Sequence, residues 1–323
     1  MRGLLLLVAV AVLVAGCGAE VDTAKVTYPR TTVPAGQQLP AGKTTSAGPA
    51  RANDPAFTPD KLRVVDPCGL LDEDLLAELG DPEDNVRGDF GECANYMEDA
   101  DGNELNLSIT IGETVPNAVE ADENIGGLPA LENDDIDDAC FVSVVTSTSP
   151  NFGIVVQANG ETEDLCAAGR TLLTGVVDRI RTDPPGYDLA AGTLVEVDPC
   201  SFFEDNALSD TLGGDVEPRP YDLHWCTWSG TGASLGVQFR LGPDPAAGGG
   251  TPVDLGGGIT VYQEKTVSGN SSCTLAWKHR PFGGDEVELV SLNYDDQNSA
   301  EGEDPCAPTQ AVAKELIPAL PKA

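Results

Sequence analysis

The spacing of the cysteines is the feature that most constrains how this chain can fold. Nine cysteines occur in 323 residues, and Cys17 stands apart from the other eight. Those eight form two sets with nearly equal intervals, first of 25, 47 and 26 residues and then of 26, 47 and 33 residues. This spacing predicts a disulfide-containing module that occurs twice. The two sets are Cys68, Cys93, Cys140 and Cys166, followed by Cys200, Cys226, Cys273 and Cys306.

The repetition extends beyond the cysteines. An Asp-Pro-Cys segment opens each copy, at Cys68 and at Cys200, and leads into a short acidic helix and alternating strands such as 105–111 and 235–239. A closing amphipathic helix repeats its apolar positions at a constant offset of 140 residues. The pattern predicts an α+β fold, in which each of two tandem copies is a mostly antiparallel sheet with N- and C-terminal helices packed on it. The matched helix positions are Leu172, Val176, Val177 and Ile180, and then Val312, Leu316, Ile317 and Leu320.

The duplication narrows the possible disulfide pairings. Eight cysteines allow 105 pairings, but two equivalent copies leave three choices in each. We favour the pairing in which each bridge connects a helix end to the start of a strand. Zinc is disfavoured as the use of these cysteines, because the chain has no Cys-x-x-Cys pair and only two histidines, His224 and His279. The favoured pairs are Cys68–Cys93, Cys140–Cys166, Cys200–Cys226 and Cys273–Cys306.

The N-terminus has the pattern of an export signal. Arg2 precedes an apolar run over residues 4–14, which is shorter than the roughly 20 residues that span a bilayer. Residues 14–17 resemble the bacterial lipobox, which implies that residues 1–17 are a lipoprotein signal peptide and that Cys17 carries the lipid. Residues 18–60, rich in Pro, Ala, Gly and Thr, are expected to form a flexible tether. Two modules follow, at 61–186 and 187–323.

Several motifs together resemble a known family. The Asp-Pro-Cys start with its apolar pair, the element Cys226-x-Trp228 and the lipobox tether are similar to an actinobacterial lipoprotein family, domain of unknown function 3558. The resemblance covers residues 61–182 and 193–320 and implies a tandem version, although Tyr96 replaces the Trp one position later in the first copy. It implies a fold similar to the lipoproteins related to PsbP and Mog. It implies no established enzymatic activity, no catalytic residue and no cofactor.

The chain is strongly acidic, with a net charge of −35. Such a surface repels nucleic acid and attracts cations and basic partners, so a nucleic-acid partner is not expected. Five acidic residues crowd one predicted loop and form a weak candidate for a Ca²⁺ site, for which a solvated acidic surface is the alternative. These residues are Glu132, Asp134, Asp135, Asp137 and Asp138.

Two familiar catalytic motifs are missing from the sequence. It contains no Ser-x-x-Lys or His-Glu-x-x-His pattern, and its first copy has no histidine. One segment has the composition of a binding surface, in which Trp, Tyr and Arg are enriched. A buried tryptophan with neighbouring loop residues is the alternative explanation of this segment. The candidate binding residues are Arg219, Tyr221, His224, Trp225 and Trp228.

These features predict a non-enzymatic protein, anchored through its N-terminal lipid to the outer face of the cytoplasmic membrane. It is expected to bind or scaffold an unknown envelope protein or small ligand. One alternative is a carboxylate-dependent envelope hydrolase, which requires a cleft that holds two acids, one of them with a raised pKa. Others are a protein that binds Ca²⁺ or a basic partner through its acidic surface, and a purely structural spacer.

Overall fold

The computed structural model describes residues 54–134, 138–268, 270–296 and 304–323. The predicted signal peptide, Cys17 and the tether up to residue 53 lie outside these ranges, as do Asp135 and Asp137. All described residues belong to one compact unit, Ala47–Ala323. Residues 54–186 are called the N-terminal half below, and residues 187–323 the C-terminal half.

The N-terminal half is built on an eight-stranded sheet in which neighbouring strands run antiparallel. The strands are β1 (Gly80–Asp81), β2 (Val86–Asp89), β3 (Glu92–Asp99), β4 (Glu104–Thr114), β5 (Glu123–Ile125), β6 (Leu128–Asn133), β7 (Ala139–Val145) and β8 (Phe152–Gly160). Their order is β1-β3-β4-β8-β7-β6-β5, and β2 pairs with β3. The helices are α1 (Pro59–Arg63), α2 (Pro67–Leu70), α3 (Glu73–Leu76) and α4 (Leu165–Thr182).

The C-terminal half repeats this arrangement with a seven-stranded antiparallel sheet. Its strands are β9 (Pro218–Pro220), β10 (Trp225–Ser229), β11 (Ala233–Pro243), β12 (Thr251–Asp254), β13 (Thr260–Ser268), β14 (Asn270–Gly283) and β15 (Glu286–Asp296), and its helices are α5 (Ser209–Leu212) and α6 (Cys306–Leu316). Read from β9, the order is β9-β10-β11-β15-β14-β13-β12. Every strand from β3 to β8 therefore has a counterpart in the same position of the second sheet.

The closing helices follow from the apolar pattern predicted for them. Asp164 caps α4 by accepting a hydrogen bond from Ala167 N at 2.8 Å. The predicted apolar positions of α4 are buried against β7 and β8, and three of the four in the C-terminal half are buried as well, while Ile317 is half-buried. Helix α6 is shorter than its counterpart and continues as a 3₁₀ turn over Ile317–Ala319, which contains Pro318.

The structure also has strands that the sequence pattern does not predict. Five extra strands, namely β1, β2, β5, β9 and β12, contain only two to four residues each, too few for alternation to be recognised. Strands β9 and β12 contain prolines, which are tolerated at sheet edges because they need not donate to a ladder. The short acidic helices are present, and Asp72 caps α3 by accepting a hydrogen bond from Leu75 N at 2.8 Å.

The structure pairs the eight cysteines in the predicted way, with Cα atoms 5.1–5.2 Å apart. In each half, one bridge ties the N-terminal helical segment to the strand that carries the second cysteine. The other ties the closing helix to the strand that carries the third cysteine. The helices are thus covalently fixed to the sheet that they cover.

Each half has its own hydrophobic core, and the two cores exchange one residue each. Phe90, in the turn between β2 and β3, is buried in the core of the C-terminal half. Leu223, in the turn between β9 and β10, is buried in the core of the N-terminal half. Each residue precedes the second cysteine of its own half, Cys93 or Cys226, by three positions. Equivalent turns therefore interlock the two halves reciprocally.

The residues that surround Leu223 and Phe90 pack closely around these two side chains. Leu223 packs on Gly112, where a Cβ atom would lie 2.1 Å from Leu223 Cγ and where φ is +77°. Only glycine satisfies both the space and the backbone conformation at this position. The Phe90 ring lies 5.0 Å from the His224 ring and edge-on to Tyr187 and Phe282, at 6.3 and 6.4 Å between centroids.

Polar contacts surround the exchanged residues. The buried guanidinium of Arg63 donates through Nε to Leu223 O at 3.1 Å and lies 3.6 Å from Asp198 of the other half. Arg87 donates to the Tyr187 hydroxyl at 2.7 Å, and that hydroxyl donates to Phe90 O at 2.8 Å. The carbonyl oxygens of both inserted turns are therefore held by hydrogen bonds that cross between the halves.

We expect Phe90→Ala and Leu223→Ala each to lower the free energy of unfolding by about 3 kcal/mol, because each leaves a cavity in the core of the opposite half. Chemical denaturation followed by circular dichroism measures this loss. Val119→Ala is the control, since Val119 is 90% exposed. A loss no larger than that of the control would show that the exchanged residues do not stabilise the fold.

Candidate functional site

A cavity of about 320 Å³ lies between the two halves. Its floor is the outer face of the N-terminal sheet, where Ser108 and Thr110 of β4 alternate with the buried residues Leu107 and Ile109. The two interlocking turns provide further walls. Other lining residues are Glu113, Phe141, Val155, Gln157, Gln238 and Phe239.

The turns that exchange Phe90 and Leu223 also bring carboxyl groups into the cavity. Asp89 and Asp222 each precede the inserted residue of their own turn and both line the cavity. Glu92, at the start of β3, joins them from the N-terminal half. Interlocking of the halves therefore assembles an acidic site from equivalent positions of both.

Burial raises the pKa of Asp89 to about 6, although its Oδ1 accepts hydrogen bonds from Phe90 N at 2.7 Å and from Leu241 N at 2.9 Å. Burial likewise raises the pKa of Asp222 to about 7, and the negative charges of Asp89 and Glu92 add to this effect. The Oδ1 of Asp222 accepts a hydrogen bond from His224 N at 2.6 Å. Both carboxyl groups therefore exchange protons within the neutral range of pH.

Two glutamates extend the acidic wall. Burial raises the pKa of Glu113, and the charge of Glu92 raises it further. Glu92 is exposed as a whole residue, but its carboxyl loses water at the cavity wall, which raises its pKa as well. Among the described residues, no Lys or Arg lines the cavity, although the charge of nearby Arg240 lowers the pKa of Asp89. The cavity thus favours a positively charged occupant.

His224 supports the site and stays uncharged. It is 6% exposed, and its Nε2 donates to Val195 O at 2.9 Å. Burial lowers the pKa of His224 to about 4, so the imidazole is neutral at pH 7. The loop that carries Val195 is held by the buried carboxylate of Glu288, which accepts hydrogen bonds from Leu194 N and Thr193 Oγ1, each at 2.7 Å. His224 therefore fixes the turn and is not placed for acid–base work at neutral pH.

An aromatic pair forms another wall of the cavity. The rings of Tyr221 and Trp225 lie 4.3 Å apart between centroids, and Tyr221 is 50% exposed. Trp225 lies over Gly236, where a Cβ atom would come within 3.0 Å of the indole Nε1. That Nε1 is buried and has no hydrogen-bond partner among the described residues. The cavity therefore combines carboxyl groups with exposed aromatic surface.

The candidate binding residues from the sequence divide between two environments. Tyr221, His224 and Trp225 line the cavity. Trp228 is fully buried in the C-terminal core, edge-on to Phe203, so that the buried-tryptophan explanation applies to it. Arg219 is exposed on β9 and does not line the cavity.

None of the four acids that line the cavity was predicted from the sequence. Carboxylates are abundant in this chain, so Asp89, Glu92, Glu113 and Asp222 did not stand out. One signal was available, because Asp89 and Asp222 both lie four residues before the second cysteine of their half. A comparison of charged residues between the two repeats would have found this pair.

The acidic cluster at 132–138 has a different arrangement. Both carboxylate oxygens of Glu132 accept hydrogen bonds from Arg170, at 2.8 and 2.6 Å. Asp134 and Asp138 are exposed, and the other two acids lie outside the described residues. Within the described part of the chain, the one group with metal-ligand spacing is Glu132 with Cys140 and Cys166, and these two cysteines form a disulfide. The cavity acids do not reach such spacing.

Comparison with known proteins identifies the family. The family model described as "Protein of unknown function (DUF3558)" matches residues 12–179, just over half of the chain. The chain belongs to this family. No curated protein and no solved structure matches it. Among the helices of the described residues, none combines the length and apolarity needed to cross a bilayer.

We expect Asp222→Asn to raise stability in a pH-dependent way. The carboxyl holds its proton more tightly when folded, with a pKa raised from 3.8 to about 7. Stability is therefore lost as pH rises from about 4 to about 7. The amide oxygen of the substituted side chain can still accept the hydrogen bond from His224 N. The free energy of unfolding of the variant should therefore rise by on the order of 2 kcal/mol at pH 8 and by little at pH 4.

Urea denaturation at pH 4, 6 and 8 measures this gain. Asp205→Asn, at an exposed position, removes the same charge elsewhere and serves as the control. An equal gain at pH 4 and pH 8, or a gain matched by the control, would contradict the effect of burial on Asp222.

Proposed function

We propose that this protein is a lipid-anchored extracytoplasmic binding protein that holds a positively charged organic ligand in the cavity between its halves. The observation that carries the proposal is the combination of four carboxyl groups and an aromatic pair around one cavity, with no Lys or Arg among the described residues that line it. A cation in this cavity would favour the ionised form of each acid and offset the burial that raises their pKa values.

The aromatic wall favours an organic cation. A cation over the face of Trp or Tyr gains about 0.5–2 kcal/mol, depending on how far it is desolvated. Tyr221 and Trp225 stack against each other and present ring surface to the cavity. The volume of about 320 Å³ suits a small ligand, at the lower end of the roughly 300–1,000 Å³ of ligand pockets.

The spacing of the acids argues against a metal ion as the occupant. Hard cations such as Ca²⁺ require six to eight oxygen ligands at about 2.3–2.6 Å. Among the described residues, Asp89, Glu92, Glu113 and Asp222 do not place three carboxylate oxygens within 4.8 Å of one another. A larger cation, which contacts acids on different walls, fits this arrangement better.

The anchoring and the duplication are parts of the same proposal. The lipobox at Cys17 and the Pro-, Ala-, Gly- and Thr-rich sequence that precedes the folded residues from 54 onward support a position on the outer face of the cytoplasmic membrane. The matching strand orders of the two sheets support tandem modules at 61–186 and 187–323. We also propose that the fold is similar to that of the lipoproteins related to PsbP and Mog, as the family resemblance implies.

The two halves share a scaffold but contribute differently to the site. Glu92 and Trp225 both immediately precede the second cysteine of their half, yet one supplies charge and the other an aromatic ring. Trp225 lies over Gly236 and covers the outer face of its own sheet, whereas the equivalent face of the N-terminal sheet forms the cavity floor. The proposal is therefore one composite site per chain.

A carboxylate-dependent hydrolase is the second candidate. The raised pKa values of Asp89 and Asp222, about 6 and about 7, allow one acid to keep its proton while another is ionised. This candidate predicts hydrolysis of an envelope glycan by the purified protein, abolished by Asp89→Asn and by Asp222→Asn. Binding without turnover favours the first candidate.

The binding proposal predicts that the full chain binds choline at pH 8 at least tenfold more tightly than 3,3-dimethylbutanol, its uncharged isostere. Lowering the pH to 5 should weaken choline binding, because the acids become protonated. Isothermal titration calorimetry measures both ligands, and a parallel titration with CaCl₂ tests the metal alternative.

Variants connect that binding to the cavity. Glu113→Gln and Trp225→Leu should each weaken choline binding at least fivefold, whereas Glu104→Gln, exposed on the same strand as Glu113, should not change it. Equal affinity for the charged and uncharged isosteres, or insensitivity to both cavity variants, would rule the proposal out.

A further inference from the structure

We propose that the C-terminal half carries a second binding site, which takes a single-chain amphiphile with an anionic head. The site is a groove of about 550 Å³ that shares no lining residue with the cavity between the halves. It is called the C-terminal groove below. Its apolar floor contains Leu255, Ile259, Ile317 and Leu320, and its basic rim contains Lys278, His279, Lys314 and Lys322.

The groove is open because the glycines in the loop that borders it have no side chains to cover it. The loop between β12 and β13 contains Gly256, Gly257 and Gly258, all with positive φ between +71° and +95°. A left-handed run of this kind needs glycine, and the missing side chains leave the groove uncovered. Ile317 lies below this loop, 3.7 Å from where a Cβ of Gly257 would be.

The charge of the groove is opposite to that of the protein. The chain has a net charge of −35, yet the described residues that line this groove include no Asp or Glu. Lys278 is engaged by Asp244 at 3.1 Å, and His279 donates through Nε2 to Gly192 O at 2.8 Å. Lys314 and Lys322 are exposed and form no ion pair within the described part of the chain. Two ammonium groups are therefore available to an anion.

The apolar floor of the C-terminal groove favours a ligand with an apolar tail. Leu255, Ile259 and Ile317 are only half-buried, so an apolar tail placed there would remove further surface from water. Each buried methylene gains about 0.8 kcal/mol. Pro318 and Pro321 also line the groove and offer no backbone N–H to a peptide. An amphiphile, which needs contact with a head group and burial of a tail, fits this lining better than an acidic peptide.

An adjoining cavity of about 540 Å³ shares Lys278, His279, Ile259 and Ala323 with the groove. Its other lining residues include Arg280 and also Asp244, the ion-pair partner of Lys278. The guanidinium of Arg280 lies 3.5 Å from the buried Glu288, which fixes its position. Since Lys278 is paired with Asp244, the head group belongs at Lys314 and Lys322, and the tail belongs on the apolar floor.

The test is isothermal titration of the full chain with octanoate, 1-octanol and butyrate, all below micelle-forming concentrations. Octanol keeps the tail and lacks the charge, whereas butyrate keeps the charge and lacks most of the tail. We expect octanoate to bind at least tenfold more tightly than either. The double variant Lys314→Glu/Lys322→Glu should lose at least tenfold in octanoate affinity, and its circular dichroism spectrum should match that of the unaltered protein.

The matched control is Arg219→Glu, which reverses an exposed charge outside the groove and should leave octanoate binding unchanged. The proposal would be overturned if either octanol or butyrate bound as tightly as octanoate. A glutamate-rich peptide that binds through Lys314 and Lys322 while octanoate does not would also overturn it, in favour of an acidic protein partner. None of these outcomes depends on choline binding at the other site.

Discussion

The exchange of Phe90 and Leu223 is the interaction on which the rest of this structure depends. Each side chain leaves a turn of its own half and is buried in the core of the other. Because both side chains are apolar and buried, the contact between the halves is stabilised in the same way as a protein core. The neighbouring carboxyl groups of Asp89 and Asp222 are carried with them, so the packing that joins the halves also assembles the acidic cavity.

This coupling has an energetic consequence. Four acids with raised pKa values face one cavity, and each disfavours the folded state when it ionises. The disulfides and the exchanged core residues stabilise the fold against that cost. Under the proposed function, a ligand that neutralises these charges would recover on binding the free energy lost to burial and repulsion.

Much of the fold could be predicted from the sequence, because its signals are local. The cysteine intervals left three pairings in each copy, and the preference for bridges between a helix end and the start of a strand predicted the four that the structure has. The offset between Leu172 and Val312 predicted matching closing helices. The short edge strands could not be predicted, since two to four residues carry no recognisable alternation. The exchange of Phe90 and Leu223 was also hidden, because an apolar residue in a turn looks the same whichever core receives it. Of the residues that line the cavity, Tyr221, His224 and Trp225 were predicted from the sequence. Its acids were not, because they come from segments that are distant in sequence and meet only in the folded chain.

Scanning calorimetry of the full chain tests whether the reciprocal insertion of Phe90 and Leu223 makes the two halves one cooperative body. We expect a single unfolding transition in which the calorimetric and van't Hoff enthalpies agree. Two separated transitions, each with the enthalpy of about half the described chain, would contradict it.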